Sequence, residues 1–198
     1  MGHKNSDMDS LGSCLGVKEL CDYCDKKSRV VYDFQSIEKK TSIVLKGQFT
    51  SEEFKNTFIT GSEALKVVKN TTLVIVCDVS RPKMTLCPEL LEKTEKVCVI
   101  DHHRRAEDFI EKPVIYLIET SASSASELIV EISKYNSEKQ TIRFSPKIAT
   151  IMLAGIFVDT NFYKTKTVGA RTFEASSILK ECGADNDDKS CIIAYEVL

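Results

Sequence analysis

"VCVIDHHRR", residues 97–105, decides how this chain is read. Four apolar residues, three of them β-branched, run into one acid, two adjacent histidines and two arginines. A short, continuous, β-rich apolar run reads as a strand covered on both faces, as in a parallel sheet. The pattern recurs in "LVIVC", residues 73–77, and "VIYLIE", residues 114–119, both read as buried strands. "RVVYDF", residues 29–34, reads as a further strand. Helix-like segments alternate with these. "SEALKVVKN", residues 62–70, carries a serine cap, and "PELLEKTE", residues 88–95, opens with proline at a helix start. "SSASELIVEISKY", residues 123–135, spaces Ser124 and Glu127 as a capping box. "SPKIATIMLAGIFV", residues 145–158, has Ser145 as cap and Pro146 in its first turn, and "GARTFEASSILKECG", residues 169–183, stops at glycine. "TSIVL", within residues 35–60, fits a strand or part of a helix. The alternation predicts an α/β fold: a mainly parallel central sheet flanked by helices on both faces.

With 198 residues the chain is long enough for one sizeable domain and short for two. A net charge of -2 gives no global basic field for duplex nucleic acid, so an anionic ligand must be drawn by a local feature or a bound cation. Eight cysteines could suggest a disulfide scaffold. Cys77 and Cys98 sit inside apolar runs, where a free thiol behaves as a small hydrophobe, and no signal peptide precedes them. They are read as reduced, in a cytoplasmic protein. Cys21 and Cys24 form a lone CxxC without a second pair, a weak zinc signal. No apolar run approaches the roughly 18 residues of a membrane span, so a membrane anchor of the parent protein would lie outside this segment.

Acids close several apolar segments. Asp78 follows residues 73–77, Asp101 follows residues 97–100, and Asp159 follows residues 148–158. "HKNSDMDS", residues 3–10, adds His3, Asp7 and Asp9. Ligands of open parallel sheets bind outside the carboxyl ends of the strands, so these acids can converge in space. Convergence without a cation is costly, because neighbouring carboxylates repel and must take up protons. Asp159 also meets the negative end of a helix dipole, which disfavours it by roughly 0.3–1 kcal/mol. A divalent ion reverses both effects. Oxygen and imidazole donors favour Mn²⁺, Mg²⁺, Fe²⁺ or Co²⁺ over a structural zinc. Taken singly, Asp7 and Asp9 read better as helix-cap and turn residues, Asp78 as a strand-end turn, and an HH pair as surface decoration. Taken together, all three histidines of the chain fall inside these motifs, which favours a two-ion centre sharing a carboxylate.

The motif order "HKNSDMDS", "VCDVSRP", "VIDHHRR" and "GIFVDT" resembles the DHH phosphoesterase superfamily, named for the motif that here is Asp101-His102-His103. "MGHKNSDMDSLG", "IDHHRRAEDFI", "ETSASSASELIVEI", "LAGIFVDT" and "RTFEAS" are similar to the cyclic-di-AMP phosphodiesterases within it, over nearly the whole chain. The resemblance implies two Mn²⁺ ions, with Mg²⁺ or Co²⁺ as substitutes. His3 and Asp7 would hold the first ion, Asp9, His102 and Asp159 the second, and Asp78 would bridge them. Asp101 would orient an imidazole, and His103 would face the substrate phosphate as donor or proton shuttle. In that subgroup the position after Asp78-Val79 is often histidine; here it is Ser80. The resemblance further implies that residues 1–198 are a DHH domain without its first strand and without the C-terminal DHHA1 substrate-binding domain.

The chemistry implied is hydrolysis of cyclic di-AMP to linear pApA by a metal-bridging hydroxide, with the cations, His103 and nearby arginines offsetting transition-state charge. The alternatives are a nano-RNase or pAp phosphatase of the same superfamily, or a metal- and nucleotide-binding module without turnover. The partner is then a small nucleotide rather than duplex nucleic acid or membrane, and the parent would be a homodimer candidate. Arg104 and Arg105 are read evenly as bidentate phosphate ligands or as solvated residues paired with Glu107 or Asp108. The segment with Ser121, Ser123 and Ser124 would offer phosphate a helix N-terminus, with simple capping slightly favoured. Arg171, Thr172 and Phe173 either approach substrate or anchor the last helix, and Phe162 and Tyr163 fit core packing better than base stacking.

Overall fold

The computed structural model describes residues 1–135, 142–188 and 191. The segment "IIAYEVL", residues 192–198, lies outside them. Three parallel strands form the main sheet in the order β3 (Val74–Cys77), β4 (Val97–Asp101), β5 (Ile115–Ile118). The register pairs Val74 with Val97 and Cys98 with Ile115. A second parallel pair joins β1 (Val30–Tyr32) to β2 (Phe58–Thr60). The mixed α/β fold with parallel strands and flanking helices is as the alternation predicts.

All five residues of β4 are buried, because each face has its own apolar cover. Cys98 and Ile100 join a cluster with α1 (Met8–Tyr23), α5 (Ala125–Ser133), α6 (Pro146–Thr160) and α7 (Ala170–Glu181). Val97 and Val99 join a smaller cluster with Ala64, Leu90 and Ile110. The two faces follow from the period-2 alternation of strand side chains. Helix α6 is apolar almost all round, and Ile151, Met152 and Leu153 are buried to about 1% or less. A helix with no polar face must be surrounded, and α6 packs against α1, α5 and α7. Each such side chain contributes roughly 1.5–3 kcal/mol by leaving water.

Several local expectations need correction. Residues 114–119 are not a doubly buried strand. Val114, just ahead of β5, and Ile115, its first residue, are 58% and 57% exposed, and β5 ends the strand order. Residues 88–95 tighten into a short 3₁₀ turn, Pro88–Glu92. Of the two readings of "TSIVL", the helical one holds: the stretch lies in α2 (Lys39–Gln48), followed by α3 (Ser51–Thr57). The helix expected over residues 62–70 is the shorter α4 (Gly61–Val67), whose cap is Thr60 in a full box with Glu63. Ser124 does accept the Glu127 N–H, yet the Glu127 carboxylate turns to Ser123 rather than completing the box. All eight cysteines are free, and Cys21 and Cys24 join no three-ligand group among the described residues. Among those residues no helix is long and apolar enough to cross a membrane.

Candidate metal centre

The parallel register of β3 and β4 brings their carboxyl ends together. Asp78 follows β3, and its N–H donates to the Ile100 carbonyl of β4 at 2.9 Å. Its φ of 63° places it in the left-handed region, a conformation that costs a non-glycine residue roughly 1–2 kcal/mol. Ile110 N–H, donating to the Ser80 carbonyl at 2.8 Å, ties down the turn that follows. The carboxylate so aimed is 3% exposed and faces in two directions. Asp78 Oδ2 lies 3.2 Å from His3 Nε2, and Oδ1 lies 3.3 Å from His102 Nε2.

Helix α1 supplies two further acids from its first turn. Asp7 is the N-cap, its Oδ1 accepting the N–H groups of Asp9 and Ser10, while Oδ2 stands 3.7 Å from His3 Nε2. The capping reading and the ligand reading of Asp7 are therefore compatible. Asp9 is fully buried, and its carboxylate takes the first two N–H groups of α5, from Ala125 at 2.6 Å and Ser126 at 2.8 Å. The positive end of a helix suits an anion. Asp159, in the last turn of α6, reaches His102 Nε2 at 3.0 Å.

Ligand atoms of three groups each lie within 4.8 Å of one another: His3, Asp7 and Asp78; Asp9, Asp78, His102 and Asp159; and Asp78, His102 and His103. Asp78 belongs to all three. Burial sets the electrostatics. It pushes Asp9 well above the usual carboxylate range, with Asp159 and Asp78 adding to the rise. Burial, with Asp78 and Asp7 behind it, raises Asp159 to about 6. Burial alone would lower both histidines, but Asp7 and Asp78 raise His3 to about 11, and Asp159 and Asp78 raise His102 to about 11. The cluster thus draws protons to offset its surplus of negative charge. Asp78 Oδ1 and His102 Nε2 are nevertheless buried without a hydrogen-bond partner. Orphaned oxygen and imidazole donors facing one another fit a divalent cation.

Residues 1–156 match the DHH family, N-terminal domain. The chain belongs to the DHH family. The cyclic-di-AMP phosphodiesterase GdpP of Bacillus subtilis is 37% identical over 185 residues, 93% of this chain and 28% of that protein. A protein of Archaeoglobus fulgidus named "Probable manganese-dependent inorganic pyrophosphatase" is 24% identical over 187 residues, 94% of this chain and 56% of that one. Among solved structures, an exopolyphosphatase-related protein from Bacteroides fragilis shares the fold, with a TM-score of 0.77 at 21% identity over 98% of this chain and 55% of that one. The chain therefore spans little more than a quarter of the length of GdpP.

Around the acids of this DHH domain the remaining expected residues fall into two sets. Asp101 is fully buried, and its Oδ1 meets both the backbone N–H of His103 at 3.1 Å and His103 Nδ1 at 2.8 Å. The imidazole it orients is that of His103, whose side chain is 59% exposed. Arg104 and Arg105 are exposed on the same loop. Arg105 stacks over the Phe109 ring at 3.5 Å, while Asp108, a partner considered for the arginine pair, is held bidentately by Arg81. Ser123 and Ser124 are not turned to the site. Both are buried, the Ser123 hydroxyl donates to Glu127, and the Ser124 hydroxyl caps α5. With Ala125 and Ser126 giving their N–H groups to Asp9, that helix start is occupied by a carboxylate of the chain itself. Arg171 is held by Glu131, and Tyr163 donates to Ser176 while packing on Phe157, both structural roles.

Sequence reasoning missed the supports of His3. Its Nδ1 meets the Lys4 carbonyl at 2.6 Å, and its N–H donates to Ser10 Oγ. Such bonds fix the ring's tautomer and aim the other nitrogen at a ligand. The contact is between sequence neighbours, but a side-chain bond to the next residue's carbonyl leaves no pattern in the sequence.

Proposed function

We propose that this chain is the metal-binding domain of a manganese-dependent phosphodiesterase that hydrolyses cyclic di-AMP to linear pApA. The observation that carries the reading is Asp78, whose two oxygens face two separate ligand groups, as a bridging carboxylate requires. His3 and Asp7 would hold one ion, and Asp9, His102 and Asp159 the other. The ions would be Mn²⁺, with Mg²⁺ or Co²⁺ as substitutes. Bound there, they would supply a water acidic enough to ionise near neutral pH and a counter-charge for phosphate. His103 would then stand on the solvent side with a raised pKa, set first by Asp101, and hold a proton for the phosphate or leaving oxygen. Arg104 and Arg105 would bind the same anion.

The likeness to GdpP over 93% of the chain supports the cyclic dinucleotide as substrate. We further propose a parent that carries a DHHA1 substrate-binding domain, in the cytoplasm or tethered to a membrane elsewhere; the chain spans 28% of the length of GdpP. A cleft of about 690 Å³ lined by Val30, Val31, Ile59, Val74 and Ile75 separates the two sheets. Met1 already pairs there, its amino group donating to the Ile75 carbonyl and its carbonyl accepting from Cys77 N–H. The test is hydrolysis of cyclic di-AMP, pApA and pAp with Mn²⁺, by this chain and by the longer parent. Preference for cyclic di-AMP is expected. Preference for pApA or pAp would replace the substrate, and binding without turnover by the parent would leave a nucleotide-binding module.

A further inference from the structure

Gly155 lies on α6 one turn before Asp159, where α1 and α5 also meet. A Cβ at this position would stand 2.8 Å from the Cα of Asp9, 3.0 Å from Asp9 Oδ1 and 3.0 Å from Ser126 Oγ. The first contact is backbone and cannot rotate away. The second is the oxygen that accepts the Ser126 N–H at 2.8 Å. Space, not backbone freedom, demands glycine here, since Gly155 lies inside a regular helix.

Other glycines of the same interface differ in what they spare. A Cβ on Gly16 would meet Ile129 Cγ2 and the Sδ and Cε of Met152 at 2.9 Å, all movable side-chain atoms far along α1 from Asp9. A Cβ on Gly12 would meet Met152 Cα at 3.0 Å and the Ile151 carbonyl at 3.1 Å, again without touching a candidate ligand. Only at Gly155, of these three, does the missing side chain make room for an acid of the metal centre.

We propose that Gly155 is a positioning residue for the ion held by Asp9, Asp78, His102 and Asp159, a role that rests on the metal reading above. It lets α1 approach α6 closely enough for Asp9 to enter the group that contains Asp159. It also keeps the Asp9 carboxylate seated on the α5 N–H groups. Forcing Asp9 away would widen that group first, because the Cβ would press on Asp9 and Ser126 and on neither His3 nor Asp7; Asp7, the α1 N-cap, is tied to Asp9 only through the Asp9 N–H.

The experiment is Mn²⁺ titration of the purified chain, followed by calorimetry and by the electron paramagnetic resonance of free Mn²⁺, together with amide hydrogen exchange. Gly155→Ala is expected to weaken one class of bound Mn²⁺ by about 10- to 100-fold, as loss of a supporting contact does, and to spare the other class. It should also speed exchange of the Ala125 and Ser126 amides. Gly16→Ala should lower Tm while leaving Mn²⁺ affinity and those two amides unchanged. Should Gly155→Ala fold poorly, Gly155→Ala/Ser126→Ala removes the Oγ contact, keeps the Asp9 clash and should keep the Mn²⁺ defect. A wild-type chain that binds no Mn²⁺ overturns the metal reading itself. A wild-type chain that binds, beside glycine variants that bind equally well or lose both ions in step, overturns the role of Gly155 alone.

Discussion

His102 and His103 are adjacent in sequence, with ring centroids 4.3 Å apart, and they face different partners. His102 Nε2 turns inward to Asp159 at 3.0 Å and Asp78 at 3.3 Å, while His103 Nδ1 turns to Asp101 at 2.8 Å and its ring stays open to solvent. The backbone enforces the split, because Asp101 also takes the His103 N–H and fixes the turn between the two rings. Their substitutions should separate accordingly. His103→Gln is expected to lower turnover by about 10²- to 10⁴-fold, the span of a lost general acid or base, with Mn²⁺ affinity kept. His102→Ala is expected to lose Mn²⁺ itself. Titration of Mn²⁺ beside a turnover assay reads both.

Among the described residues Asp78 belongs to every candidate ligand group, so its loss should not be divisible. Asp78→Ala is expected to abolish binding of both ions, whereas Asp7→Ala and Asp159→Ala should each weaken one. Full activity in Asp78→Ala would exclude a bridging role.

Proton linkage gives a third expectation. In the metal-free chain His3 and His102 are raised from 6.5 to about 11, so they carry protons at neutral pH. A cation must displace those protons, and Mn²⁺ affinity should therefore rise with pH from neutrality toward 11. Calorimetry in buffers of different ionisation enthalpy should show proton release on binding. The same shifts fix the stability of the metal-free chain. A raised histidine pKa stabilises fully below about 6.5 and ceases to as pH climbs through about 11. Denaturant midpoints of the metal-free chain should accordingly fall on the alkaline side.

The strands and the acids that follow them were legible because both signals are local. An apolar run gives the strand, and the next residue is placed at its end. Asp78 and Asp101 needed only that rule, and Asp159 its helical counterpart, an acid closing the apolar run of α6. The edge position of β5 was not legible, since residues 114–119 look as apolar as a central strand and only the strand order reveals which side lacks a neighbour. The inward turn of Ser123 and Ser124 was hidden for a similar reason. Asp9 claims the α5 N-terminus from 116 and 117 residues away, and no local pattern announces that bond. The β2 strand, only three residues long between two helices, offers too short a period to detect.

The Asp9 seat can be tested from the α5 side as well. Ser124 caps α5 by accepting the Glu127 N–H at 3.0 Å, immediately before the two residues that hold Asp9. Ser124→Ala is expected to cost about 1 kcal/mol, a loss of roughly 2–4 °C in Tm for a domain of this size. Because the first turn of α5 would fray, the Asp9 carboxylate should lose part of its support, and Mn²⁺ affinity should fall with Tm. Ser145→Ala provides the contrast. Ser145 precedes α6 but makes no side-chain bond to that helix, its hydroxyl donating instead to Glu19 at 2.5 Å. Its loss should lower Tm modestly and leave Mn²⁺ binding alone. Thermal melts with and without Mn²⁺ measure both effects at once, since an ion that binds only the folded chain adds about 2.7 kcal/mol of stability at a hundred times its Kd. That increment should shrink in Ser124→Ala and persist in Ser145→Ala.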